Sequence, residues 1–191
     1  MSSLSEEQRD ALLGLARQAV SEAVLHHELP REIPGHSIFG EQHDVFVTLH
    51  VRGLLRGCIG VVETHEKLGD AVVRCAVSAA LHDRRFSPVQ PADLAEMDIE
   101  ISLLSIPDPI RADQIEIGRH GLLIVFGSQR GLLLPQVAIA HRLNQEQFLQ
   151  ETCRKAGLNR DAWRDSEAKI LGFTCEVFSE RQMLQRESHL T

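Results

Sequence analysis

Aromatic side chains are scarce. The 191 residues include seven Phe, one Trp and no Tyr. A core must therefore be built mainly from Leu, Ile, Val and Ala, and platforms on which bases stack are few. Basic charge is short as well. The formal net charge is −7, and no Lys/Arg cluster offsets it, so nucleic acid and anionic membrane surfaces are repelled on average. No apolar run approaches the ~20 residues that span a bilayer. The first residues, MSSLSEEQRDALLGLARQAV, are acidic and polar, unlike a secretory leader. A cytoplasmic protein is expected. C-x-x-C is missing too: Cys58, Cys75, Cys153 and Cys175 stand far apart, which points to free thiols in a reducing compartment.

Nucleotide and hydrolase signatures are equally absent, with no P-loop, no G-x-G-x-x-G and no G-x-S-x-G,. The ten histidines show no H-x-H, H-x-x-x-H or H-E-x-x-H spacing. A metal site would have to draw Cys58 together with His50 or His82 from distant parts of the chain, and no metal is assigned. No cofactor is assigned either.

What is present is a series of amphipathic segments. Ser5 opens a capping box with Gln8. Leu12, Leu15, Ala16, Ala19, Val20, Ala23 and Val24 then follow at helical spacing, predicting a helix that ends before Pro30. Residues 30–44 read as an extended loop. VFVTLHV (45–51) and LLRGCIGVV (54–62) alternate or run apolar on either side of Arg52-Gly53, a hairpin pattern. A second helix is predicted through Leu68, Ala71, Val72, Cys75, Ala76, Ala79 and Ala80, and a strand over 97–106. Residues 121–136 predict another hairpin, with 127–131 as its loop. Asn144 and Gln147 cap a third helix stopped by Gly157. Residues 168–180 read as one last strand. Hairpins outnumber βαβ units, which predicts an α+β fold with helices layered on a mainly antiparallel sheet. The expected division is a larger subdomain from about 1–63 and 111–191 and a smaller one from about 64–110.

The stretch LRGCIG (55–60) carries the most chemistry. Strand alternation places Arg56, Cys58 and Gly60 on one face, with Arg56 and Cys58 about 7 Å apart. A nearby guanidinium favours the thiolate, which makes Cys58 a better nucleophile or ligand. Gly57 and Gly60 remove side chains, so a ligand has room to approach. The plainer alternative is a small buried cysteine beside glycines that let a helix pack closely.

LRGCIG, then DRRF with Pro88 close behind, IEISLLS, GLLLPQVA and CRKAGL before Trp163 resemble, in order, the AMMECR domain family. The resemblance runs from about Phe46 to Phe178, and the hexapeptide is its most specific part. It implies an α+β protein with a larger and a smaller subdomain and a cleft that the hexapeptide helps to form. It also implies work alongside a Memo-like protein and a radical S-adenosylmethionine protein, the AmmeMemoRadiSam system. The family's biochemical role is not established. Ser87 stands between Phe86 and Pro88, where the family pattern often has proline directly.

Other candidates follow from residue chemistry. Arg85 has a planar fork suited to a carboxylate or phosphate, or it serves the end of the preceding helix. Glu100 alternates with Ile99 and Ile101, and is a general base or ligand if its face meets Cys58; a solvated sheet face is the plainer reading. Gln136 offers hydrogen bonds to a ligand or to a strand end. Two functions stay open. One is a cytosolic adaptor or substrate-binding component; the other is a small cysteine-dependent enzyme for acyl or alkyl transfer, with Arg56 and Glu100 assisting Cys58.

Overall fold

The computed structural model describes residues 4–30, 35–62 and 64–187, with side chains through Met183. Helix α1 spans Glu6–His26. Its capping box closes as the sequence predicts: Gln8 donates its backbone N–H to the Ser5 hydroxyl at 3.2 Å, and the Ser5 N–H donates to Gln8 at 2.8 Å,. His27 ends it in the left-handed region at φ 58°,. Strands β1 (Val45–Val51) and β2 (Leu54–Val61) form the first hairpin. Its turn residues, Arg52 and Gly53, take φ 53° and 77°, the paired positive values a two-residue hairpin turn requires.

Helix α2 is Leu68–Leu81 and β3 is Met97–Leu104. After β4 (Asp108–Pro109), strands β5 (Gly121–Phe126) and β6 (Gln129–Leu133) make the second hairpin. Its loop is shorter than predicted, because Gln129, Arg130 and Gly131 already pair with β5. Helices α3 (Pro135–Ala140) and α4 (Gln145–Lys155) follow, then β7 (Lys169–Phe173), β8 (Cys175–Ser179) and α5 (Glu180–Glu187). The strands form two four-stranded sheets, ordered β2-β1-β3-β8 and β4-β7-β5-β6, and every described register is antiparallel. The fold is α+β.

The chain divides into two compact units, residues 1–103 with 176–191, and residues 104–175. This differs from the expected split. Residues 64–103 belong with both chain ends, because β3 pairs with β1 over seven residues and α2 packs into the same core. In the first unit one sheet face is apolar: Val45, Val47, Leu49, Ile99, Ile101 and Leu103 are all fully buried. They pack against Leu12, Ala16, Ala19 and Val20 of α1 and Val72, Cys75, Ala76 and Ala79 of α2. Each buried Val, Leu or Ile among them contributes about 1.5–3 kcal/mol of burial free energy. The alternate positions Phe46, Thr48, His50, Glu100 and Ser102 occupy the other face. The second unit has its own core of Ile115, Leu122, Ile124, Phe148, Leu149 and Cys153.

Candidate functional site

The hexapeptide lies on β2, the edge strand of the first sheet. A β-bulge interrupts the hairpin between Leu49 and His50. Leu49 pairs with Gly57 and His50 with Leu55, which leaves Arg56 as the extra residue,. Strict alternation is therefore lost at Arg56. Its guanidinium is drawn to the loop after α2, donating to the Ser87 carbonyl and, at 3.0 Å, to the Pro88 carbonyl. Asp93 stands 3.6 Å away. The arginine pins a loop to the strand.

Beyond the bulge, Cys58 lies opposite Thr48, and Thr48 lies opposite Glu100. The three make one row across β2, β1 and β3 on the polar face. The Thr48 hydroxyl donates to the Cys58 sulfur at 3.3 Å. Cys58 is half-buried, unlike Cys75 and Cys153, which are buried. Burial pushes the Cys75 thiol up to about 11 and Cys175 to about 12, which keeps both protonated and inert. Burial also raises the Glu100 carboxyl above its ordinary value, against the pull of His50.

The two glycines do not open a space. A Cβ on Gly57 would collide with the Ala79 carbonyl oxygen of α2, and one on Gly60 with the ring of Phe46 across the hairpin. Gly57 thus lets the helix backbone press against the strand. Gly60 lies under an aromatic ring on the Cys58 face. Room for a ligand at these two positions, as expected from the sequence, is taken by the chain's own atoms.

The free edge of β2 is closed at Cys58 by side chains. The Cys58 N–H donates to Asp83 at 2.9 Å, and its carbonyl accepts from Arg85 at 3.0 Å. Asp83 also accepts from the Arg85 backbone N–H at 3.1 Å, Nε at 2.9 Å and Nη2 at 2.7 Å. The pair stands where a neighbouring strand would, satisfying both main-chain groups of one residue. Arg85 holds the Asp83 carboxyl well below the usual carboxylate range. The Asp83 side chain is 4% exposed and that of Arg85 58%. The guanidinium also lies 5.3 Å from the Phe86 ring centroid,. It is thus an exposed cation fixed from three sides.

The structure gathers Cys58, Gly57, Gly60 and Arg85 at one strand edge, with Arg56 turned along that edge and Glu100 two strands away. Gln136 belongs to the second unit, in the first turn of α3 behind Pro135, where the sequence suggested a strand end. Among the described residues no group of three His, Cys, Asp or Glu side chains is spaced to hold a metal. Also among them, no helix is long and apolar enough to cross a membrane. Sequence reasoning missed Thr48 and Asp83. The first is hidden by the bulge; the second had a visible signal in its place two residues before Arg85.

Comparison with known proteins places this geometry in context. The AMMECR1 family model matches residues 13–178. A protein of Methanothermobacter thermautotrophicus is 39% identical over 187 residues, covering 93% of this chain and 96% of its own. Protein TK0174 of Thermococcus kodakarensis is 40% identical over 191 residues, covering 93% and 92%. The crystal structure of uncharacterised protein PH0010 from Pyrococcus horikoshii superposes with a TM-score of 0.85 at 35% identity, covering 93% of each chain.

Proposed function

The chain belongs to the AMMECR1 family, and from that premise we propose that it is a recognition component, an adaptor or substrate-binding protein. Its partners in this reading are a Memo-like protein and a radical S-adenosylmethionine protein, as the family resemblance implies. The docking region is the β2 edge with the 83–88 loop, including a cleft around LRGCIG.

The observation that carries this reading is how the groups around Cys58 are engaged. The Thr48 hydroxyl donates to its sulfur, and the Arg85 guanidinium also interacts with the Cys58 side chain. Arg56 is engaged with two carbonyls, and Arg85 with Asp83 and the Cys58 carbonyl. A nucleophilic cysteine needs a base to take its proton; the group hydrogen-bonded to this sulfur is a donor hydroxyl, and Arg85 is held chiefly by Asp83. Here polar groups fix the strand, and fixed exposed surface is what recognition uses. Arg85 presents an orientated cation to a partner carboxylate at low entropic cost.

Calorimetric titration of the purified protein with each companion tests the proposal. Micromolar binding to at least one of them, about −8 kcal/mol, is expected. Arg85→Ala should weaken it about tenfold or more, while Cys58→Ser should change it less than threefold, about 0.7 kcal/mol. Absence of heat with both proteins at ~100 μM would sink the reading.

A second reading rests on the Cys58–Thr48–Glu100 row: a cysteine-dependent acyl or alkyl transferase with Thr48 relaying a proton to Glu100. It requires that Cys58→Ser abolish a turnover that Glu100→Gln also slows. A Cys58→Ser protein that supports the full activity of the three-protein system excludes it.

A further inference from the structure

Elsewhere in the first unit, α1, residues 94–98 and α5 line an open pocket of ≈ 620 Å³, within the ~300–1,000 Å³ range of small-molecule sites. It is separate from the LRGCIG edge. One residue on its wall has no reason to be there on the chain's own account. Gly14 sits in the interior of a 21-residue helix, where glycine is less favourable than alanine. No side chain or neighbouring segment comes within 4 Å of where its Cβ would lie. Gly57 makes room for α2; Gly14 makes room for nothing in the described structure.

The rest of the wall says what kind of molecule fits. Its floor is apolar, from Leu13, Leu94, Met97 and Met183, and thioethers make favourable contacts with aromatic rings. Its charges are unevenly engaged. Arg17 is bound to Glu180 and to the carbonyls of Leu94 and Met97, so this cation is a clasp and not a ligand group. Glu96 is held by Arg52. Asp10, four residues before Gly14 and on the same helix face, is exposed and has no side-chain partner among the described residues. Asp98 accepts one backbone N–H, from Arg181 at 2.8 Å, which leaves carboxylate lone pairs open. Two carboxylates with open capacity thus flank an apolar floor. Among the described residues on the wall, Arg181 and the Glu180-bound Arg17 are the opposing cations.

We infer that this pocket binds a small organic cation, an ammonium group on an aromatic or aliphatic body. The body lies flat on the α1 backbone at Gly14, and the ammonium meets Asp10 and Asp98. The site is independent of the recognition reading above.

The test is an amide chemical-shift titration of the full chain with three probes of one shape: benzylamine, benzyl alcohol and benzoate. Benzylamine should give saturable shifts at Gly14 and Asp98, at least about tenfold tighter than benzyl alcohol, with benzoate weaker still. Gly14→Ala should raise Tm by about 2–4 °C, because alanine is the better helix former. It should also weaken benzylamine binding about tenfold. Stability and binding then move in opposite directions, which misfolding cannot mimic. Asp10→Asn should weaken benzylamine and leave benzyl alcohol unchanged. Equal binding of amine and alcohol, preference for benzoate, absence of saturation, or a Gly14→Ala protein that is less stable or binds as well as wild type would overturn the inference.

Discussion

Replacing Asp83 with Asn tests how the edge of β2 is held. Asp83 is 7% exposed and accepts four hydrogen bonds: one from the Cys58 N–H and three from Arg85. The amide keeps the shape but loses the charge, and it turns one acceptor atom into a donor facing donors. Breaking a buried ion pair from one side costs about 3–5 kcal/mol when the surviving charge stays buried. Arg85 is more than half exposed and recovers hydration by swinging out, which lowers the expected loss to about 2–3 kcal/mol. Urea unfolding reads this as a lower midpoint at unchanged slope. Amide exchange at Cys58 should accelerate in the same variant, since its N–H has lost its acceptor. The pH dependence follows in sign. The folded-state pKa of Asp83 lies below the unfolded value of about 3.9, so its stabilisation is complete above that value and is lost as the pH falls towards the folded one. The deficit of Asp83→Asn should therefore be full at pH 7 and shrink below about pH 4. A deficit under about 0.5 kcal/mol at pH 7, within the range of an ordinary surface substitution, would refute the clamp.

Gly57→Ala and Gly60→Ala should separate. The first drives a methyl into the α2 backbone at Ala79 and should cost about 3 kcal/mol or more; the second meets the Phe46 side chain, which can turn aside, and should cost about 1–2 kcal/mol. Thermal unfolding of both checks the order, and equal losses would contradict it. Glu100 is raised by burial, so its ionisation in the folded state costs stability as the pH rises above the unfolded value of about 4.3. Glu100→Gln should then unfold at higher urea than wild type at pH 7, with the advantage vanishing below about pH 4. An advantage that persists in acid would show that burial of the charge is not its source.

Local rules made much of the first unit legible. The Ser5–Gln8 box, the helical spacing in α1 and α2 and the turn at Arg52-Gly53 each act within a few residues, so the sequence carries them directly. The site was legible in part. Counting back from the Arg52-Gly53 turn sets Thr48 against Gly57; the bulge shifts the register by one and sets Thr48 against Cys58. No residue pattern announces that shift, and it also turns Arg56 off the face shared by Cys58 and Gly60. Residues 168–180 read as one strand, yet they divide at Thr174 into β7 and β8, which join different sheets. Which sheet a strand joins is decided by distant partners, not by its own pattern. Pro135 reads as a strand end and is instead the start of the six-residue α3, where its fixed φ suits a first helical turn.

Hydrogen exchange of the protein alone and saturated with its Memo-like or radical S-adenosylmethionine companion tests the recognition account most directly. Cys58 turns its N–H and carbonyl away from β1, towards Asp83 and Arg85. Gly60, two residues along the same edge strand, turns its own N–H the same way. The account predicts slower exchange across 54–62 and 83–88 on binding, Gly60 included, with the apolar sheet face unchanged. Unaltered exchange at both segments in a complex shown to be formed would contradict it.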